Sequence, residues 1–225
     1  MAATLQTLRD LQDQILANSK TGNFEEDERV QALNDARLEV MEYARWPQFR
    51  ISSTVSFTSG TGSLPTNFFY DEEDLYEANT DGTRKTVYQK VSPVDFVENS
   101  SKTYTILDSA GTAVLKIFEA DTVSLTFWYT KKPWSADMSA AADTTGFAAE
   151  FDRVMALLSV AYLIGHKNPD NPKARLLKYG ASGNPAKPED GSAYKILSKL
   201  FAQYKRRYSP RKRTISSFYA SNSFY

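Results

Sequence analysis

The period of the hydrophobic pattern switches twice along this chain, and that double switch constrains the fold more than any other feature. Over residues 2–18, Leu5, Leu8, Leu11, Ile15 and Leu16 recur at helical spacing. Lys20-Thr21-Gly22-Asn23 interrupts them. A second helix is predicted from there, with Asn23 as its cap and Glu26 three residues on, as in a capping box. Glu25, Glu26 and Asp27 give its first turn the negative charge that a helix N-terminus favours. Its stripe runs Val30, Leu33, Ala36 or Arg37, Val40, Tyr43 and Ala44. It ends at Trp46, because Pro47 pushes the residue before it out of helical conformation. The short loop between these helices predicts an antiparallel pair.

At Arg50 the period becomes two. Ile51, Val55 and Phe57 belong to a β-branched, partly alternating run, and Ser59-Gly60-Thr61-Gly62-Ser63 reads as a turn before Leu64-Pro65 restarts the chain. Residues 75–78 lead into Asn79-Thr80-Asp81-Gly82, a hairpin signal, and residues 85–91 return. Residues 103–107 and 113–118 flank a second hairpin signal, Asp108-Ser109-Ala110-Gly111. Val123, Leu125, Phe127 and Tyr129 share one face of a further strand, which Pro133 ends. About six short strands in succession predict a small barrel or sandwich.

Helical spacing returns at Gly146. Phe147, Phe151, Val154, Leu157, Leu158, Ala161 and Tyr162 form a wide stripe ending near His166. After the break at residues 168–171, Asn171 is placed to cap, and Pro172 to open, a short helix through Tyr179. Residues 180–191 are a Gly/Pro/Ser-rich loop. The last helix, residues 192–207, carries Tyr194, Leu197, Leu200, Phe201 and Tyr204 on one face, and Ser209-Pro210 stops it. Each helical part is too small to bury its stripe alone, so the two must pack on each other. The fold expected is α+β: a helical bundle domain from residues 1–49 and 146–207, an inserted small antiparallel β-barrel or sandwich at 50–134, and an extended C-terminal arm at 208–225.

Charge singles out the arm. The formal net charge is zero, yet residues 191–225 hold eight Lys or Arg and no Asp or Glu, leaving 19 basic against 27 acidic residues elsewhere, a balance of −8. Opposite charge on body and tail favours self-association in which each tail lies on a neighbouring body. Complementing the carbonyl end of the last helix accounts for Lys205, Arg206 and Arg207, but not for Arg211, Lys212 and Arg213 beyond Pro210. Phe218, Tyr219, Phe224 and Tyr225 follow in a neutral Ser/Asn-rich stretch. A basic block followed by aromatics suits an arm that folds on binding and places anchors in a partner's pockets. Interleaved charge and aromatics would suit single-stranded nucleic acid better. The basic block can still meet DNA phosphates, non-specifically, as a secondary role.

Residues suited to carry chemistry are few. Cys is absent, which excludes disulfides, thiolate nucleophiles and Cys-based zinc sites and fits assembly in a reducing cytoplasm. No apolar run reaches the ~18 residues of a membrane span, and Met1-Ala2-Ala3-Thr4 begins no secretory signal. His166 is the only histidine, and at a predicted helix C-terminus it complements the dipole more readily than it serves as base or ligand. Asp71-Glu72-Glu73-Asp74 lacks the spacing of a calcium loop and reads as a solvated edge, or as a face for a basic arm. Gly60-Thr61-Gly62 precedes an extended segment, so it cannot seat a phosphate on a helix N-terminus. No catalytic, metal or cofactor-binding residue is assigned, and the protein is expected not to be an enzyme.

The layout resembles the head-to-tail adaptor, or connector, proteins of tailed bacteriophages. The resemblance rests on Arg45-Trp46-Pro47 running directly into a strand, on the Gly-containing turn into Leu64-Pro65-Thr66-Asn67-Phe68, on Val91-Ser92-Pro93-Val94-Asp95-Phe96, and on the closing strand 125–129 running into Lys132-Pro133 and a helix near Phe151-Asp152. It covers residues 5–205, and the order and spacing of these pieces carry it. It implies a structural protein at the head–tail junction of a virion: a homo-oligomeric ring, usually of twelve copies, beneath the portal protein, extending the DNA channel and receiving the tail or neck proteins. The arm would dock on the portal or the next subunit. The alternatives are a tail-tube or tail-completion protein and, less favoured, a tail-associated cell-wall hydrolase.

Overall fold

The computed structural model describes residues 2–19, 23–72, 75–98, 102–109, 112–118 and 122–208. Helices α1 (Leu5–Ser19) and α2 (Glu26–Tyr43) lie where the apolar spacing puts them. The cap of α2 sits two residues later than the sequence suggested: Glu28 closes the box, its carboxylate accepting the Glu25 N–H at 2.9 Å. The helix also stops earlier, at Tyr43, because Ala44 is already extended. The Trp46 indole N–H then donates to the Val40 carbonyl at 2.7 Å, satisfying one of the last-turn acceptors. Pro47–Phe49 makes one 3-10 turn into the sheet.

Among the described residues the sheet has eight strands: β1 (Arg50–Phe57), β2 (Thr61–Ser63), β3 (Phe68–Asp71), β4 (Leu75–Ala78), β5 (Arg84–Lys90), β6 (Thr103–Ser109), β7 (Thr112–Ile117) and β8 (Val123–Lys131). The order β1-β8-β4-β5-β6-β7-β2 nearly closes on itself, since β1 and β2 are joined by a two-residue turn and bridged at Thr58 and Thr61. Ser59 (φ 49°) and Gly60 (φ 72°) both occupy the left-handed region that such a hairpin turn requires. Gly62 lets β2 lie against β1, because a Cβ there would sit 2.7 Å from Val55 Cγ1. The alternation read from sequence holds: Leu125, Phe127 and Tyr129 point into the barrel with Val55, Phe57, Tyr104 and Leu115. β2 and β3 were not foreseen, nor was the parallel pairing of β5 with β6. That pairing needs a crossover, which holds a short helix, α3 (Pro93–Glu98), opened by the Ser92 hydroxyl accepting the Asp95 N–H at 3.1 Å.

After the barrel come α4 (Asp152–Lys167), α5 (Pro172–Tyr179) and α6 (Ala193–Tyr208). Asn171 caps α5 as expected, its side chain accepting the Lys173 N–H at 3.0 Å. Residues 154–161 of α4 are all buried. A helix apolar on every side offers more burial than either amphipathic neighbour, so α1 and α2 each pack mainly on α4 and only marginally on each other. The expected antiparallel α1–α2 pair is corrected to this extent.

One long connection was not legible: residues 132–148 form a strap across the helices. Asn34 pairs with the Met138 backbone in both directions, at 2.9 and 3.1 Å. The Leu5 N–H donates to the Asp143 carbonyl at 2.8 Å, and Thr4 bridges Thr144. The molecule is thus a mixed α+β fold with six helices, among the described residues, and a nearly closed barrel-like sheet. None of these helices is long and apolar enough to cross a membrane.

Candidate functional site

Of the arm singled out from sequence, the structure places Arg206 and Arg207. Both are exposed on the last turn of α6, beside Lys205. The Arg207 guanidinium lies 5.6 Å from the Tyr204 ring. Tyr204 donates to Glu150 at 2.6 Å, and burial, then that carboxylate, pushes its phenol above the usual range. Arg211, Lys212, Arg213, Phe218, Tyr219, Phe224 and Tyr225 lie outside the described residues.

The remaining acidic and aromatic groups sort into hubs and a groove. Glu39 of α2 accepts from the Tyr194 hydroxyl and from Lys178 at 3.2 Å, and the Lys178 ammonium sits 4.2 Å from the Tyr162 ring. Burial, followed by hydrogen bonding to Glu39, raises the Tyr162 and Tyr194 phenols, so both stay neutral donors. This hub ties α2, α4, α5 and α6 together. Arg37 is a second hub. It is 1% exposed, lies 4.3 Å from the Trp134 ring, and donates to Asn34 at 2.9 Å. Burial lowers its pKa to about 10, against the opposing pull of Asp137 and Asp143. It therefore remains charged at neutral pH and pins the strap. A third hub lies between α1, α2 and α4. There the Gln12 amide donates to Ser159 at 3.0 Å, and Arg29 donates to Asp13 at 2.8 Å. These side chains are paired within the protein, which suits holding helices together better than meeting a ligand.

The groove is different, because its walls face outward. At the carbonyl end of α4 a cavity of about 250 Å³ opens between α2 and α4. Ala32, Leu163, Phe24 and Tyr162 give it an apolar floor, and Glu28 and Asp35 stand on its α2 wall. A second hollow of about 330 Å³ adjoins it between α4 and α5, sharing Tyr162 and His166. His166 is exposed in the last turn of α4, the place its sequence position implied. Lys167 donates to the Asn23 carbonyl at 2.8 Å and lies over Phe24, closing one end. The groove draws on two segments more than a hundred residues apart, so periodicity could not reveal it. The available sign was the acidic outer face of α2, where Glu28, Asp35, Glu39 and Glu42 recur at helical spacing.

The acidic cluster is split. Asp71 pairs with Lys90 at 2.9 Å, and Glu72 accepts from Thr130 and lies 3.8 Å from Arg45, while Glu73 and Asp74 lie outside the described residues. Among the described residues no group of three or more His, Cys, Asp or Glu is placed to hold a metal ion. Asp152 is the carboxyl raised by burial, to about 6, with one oxygen buried and unpartnered in the first turn of α4. No protein-family model matches the chain, and no curated protein matches it.

Proposed function

We propose that this protein is a structural component of a tailed-bacteriophage virion. In this reading it is a head-to-tail adaptor that forms a ring beneath the portal, extends the DNA channel and offers the tail its attachment site. The helical domain, residues 1–49 and 146–207, forms the ring body. The barrel, residues 50–134, is inserted into it, and residues 208–225 form the arm that reaches the portal or the next copy. The reading is carried by the placement of the segments that resemble the adaptor family. Arg45-Trp46-Pro47 is the hand-over from α2 to β1, Leu64-Pro65 is the entry to β3, and residues 91–96 are the crossover from β5 to β6. Lys132-Pro133 is the exit from β8 and Phe151-Asp152 the start of α4. These are the points where the path of the chain is decided. The charge division adds support, since residues 191–225 carry +8 and residues 1–190 carry −8, and opposite charges on the two favour a heterologous contact that closes into a ring.

The test is the protein's place in purified particles. Cryo-EM of virions should find a ring of this chain between portal and tail, and mass spectrometry should detect it in stoichiometric amount. Its absence from particles overturns the reading. Density on the tail side of the junction would replace it with a tail-completion role.

A further inference from the structure

We infer that the groove between α2 and α4 is the receptor for the C-terminal segment of a second copy of this chain. Residues 211–213 lie along the acidic α2 wall, and Phe218 enters the apolar pocket. This deepens the ring reading and rests on it.

Three observations converge. The first is fit. A cavity of roughly 150 Å³ lined by apolar side chains already takes a benzene ring, and the pocket over Ala32, Leu163 and Tyr162 is about 250 Å³. One Phe ring fills it with room for part of its backbone. The second is charge. Glu28 and Asp35 lie seven residues apart on α2, roughly 10 Å along its axis. Arg211 and Arg213 lie two residues apart on an extended segment, roughly 7 Å, so both cations can meet the wall together. The intervening residues to Phe218 then span roughly 16 Å, enough to turn over the rim into the pocket.

The third observation selects a second copy over the chain's own arm. Helix α6 sets Tyr194 against Tyr43 (5.7 Å) and Tyr204 against Phe151 (5.6 Å), so it runs toward the start of α4, away from the pocket at Tyr162 and His166. Glu28 meets Lys167 (3.8 Å), sixteen residues or roughly 24 Å from Phe151 along α4, and Tyr208 lies about one turn, some 6 Å, beyond Tyr204. Arg211 to Arg213 lie three to five residues past Tyr208 and reach at most roughly 10–18 Å. Their own Glu28 is then roughly 30 Å away along α4, beyond that reach, so the basic block can span Glu28 and Asp35 together only on a neighbour.

The experiment uses the full chain. A photoreactive phenylalanine analogue replaces Phe218, and isotopically heavy and light chains are mixed, irradiated and digested. The expected products are heavy–light cross-links from residue 218 to peptides holding Phe24 or Tyr162. Cross-links confined to one isotope, cross-links onto the barrel, or no cross-links in an assembled ring overturn the inference. A second arm reverses the wall with Gln31→Lys and Asp35→Lys. Self-association should weaken about tenfold near 0.1 M salt, since each exposed ion pair contributes a few-fold. Adding Arg211→Glu and Arg213→Glu should restore it, and an unchanged melting temperature certifies the fold. Full-strength assembly of the wall variant overturns the groove and leaves the ring reading standing. A chain that stays monomeric at every concentration and is missing from particles overturns both.

Discussion

The barrel draws its core from one uninterrupted stretch, residues 55–129, whereas the helical core joins residues 3–49 to residues 138–204. Their interiors differ as well. The barrel interior is mainly apolar, with Phe127 stacked on Tyr129 at 5.7 Å and on Phe68 at 5.8 Å. The helical interior holds charge and amide groups, Arg37 and Gln12, each tied to more than one segment. In the barrel, strand register follows from inward–outward alternation, so apolar side chains suffice. Helices can slide and rotate more freely, and a buried polar group with one satisfying arrangement fixes their positions.

The largest effects fall on the two cores. Trp46→Ala removes a fully buried ring packed edge-on against Phe151 and Phe201, and Phe127→Ala empties the barrel centre. Each should cost about 3–5 kcal/mol in urea unfolding followed by circular dichroism. If the cores are separate, the double variant should be additive within about 0.5 kcal/mol. A larger coupling would break the comparison. Gly62→Ala drives a Cβ into Val55 and Phe57 where the barrel closes, and about 1–3 kcal/mol should be lost from overpacking. A neutral result would mean that closure tolerates relaxation. Asn171→Ala deletes the cap of α5 and should lower stability by about 1 kcal/mol, with no change in self-association.

The smallest effect is a pH slope. Burial raises the Asp152 carboxyl from 3.8 to about 6, so the native state holds its proton more tightly than the unfolded chain does. Stability from this group is therefore full below 3.8, falls as pH rises toward 6 and is level above. Asp152→Asn should flatten that part of the stability profile, and an unaltered slope would show that the carboxyl is solvated.

Much of the secondary structure was legible because its signals are local. The α4 stripe, the Asn171-Pro172 start and the Asn79–Gly82 turn each declare themselves within a few residues. The misread features depend on distant partners. The α1–α2 pair is reduced to polar contacts around Arg29 because α4, more than a hundred residues away, offers both helices a better apolar surface. The parallel β5–β6 contact covers only two residue pairs, Gln89 with Thr103 and Lys90 with Tyr104, too short to leave a pattern. The strap from 132 to 148 carries little periodicity because isolated apolar anchors, Trp134, Met138 and Phe147, share the work of holding it down with side-chain amides and backbone groups. The arm stood out through composition alone. The pocket proposed to receive it needed α2 and α4 brought together in space.

The strap also sets an order of events during synthesis. Thr4, Leu5 and Asn34 bond to residues 138–144, and the helical core closes only when Leu197 and Tyr204 have emerged. At roughly 5–20 residues per second, translating the roughly 150 residues between Phe49 and Tyr204 takes on the order of 10–30 s. The barrel can complete itself on the ribosome during that interval. Helices α1 and α2 must wait with their apolar faces uncovered, which makes the nascent N-terminal 49 residues the stretch most dependent on chaperones. Limited proteolysis of stalled nascent chains should find the barrel protected while α1 and α2 are still cut.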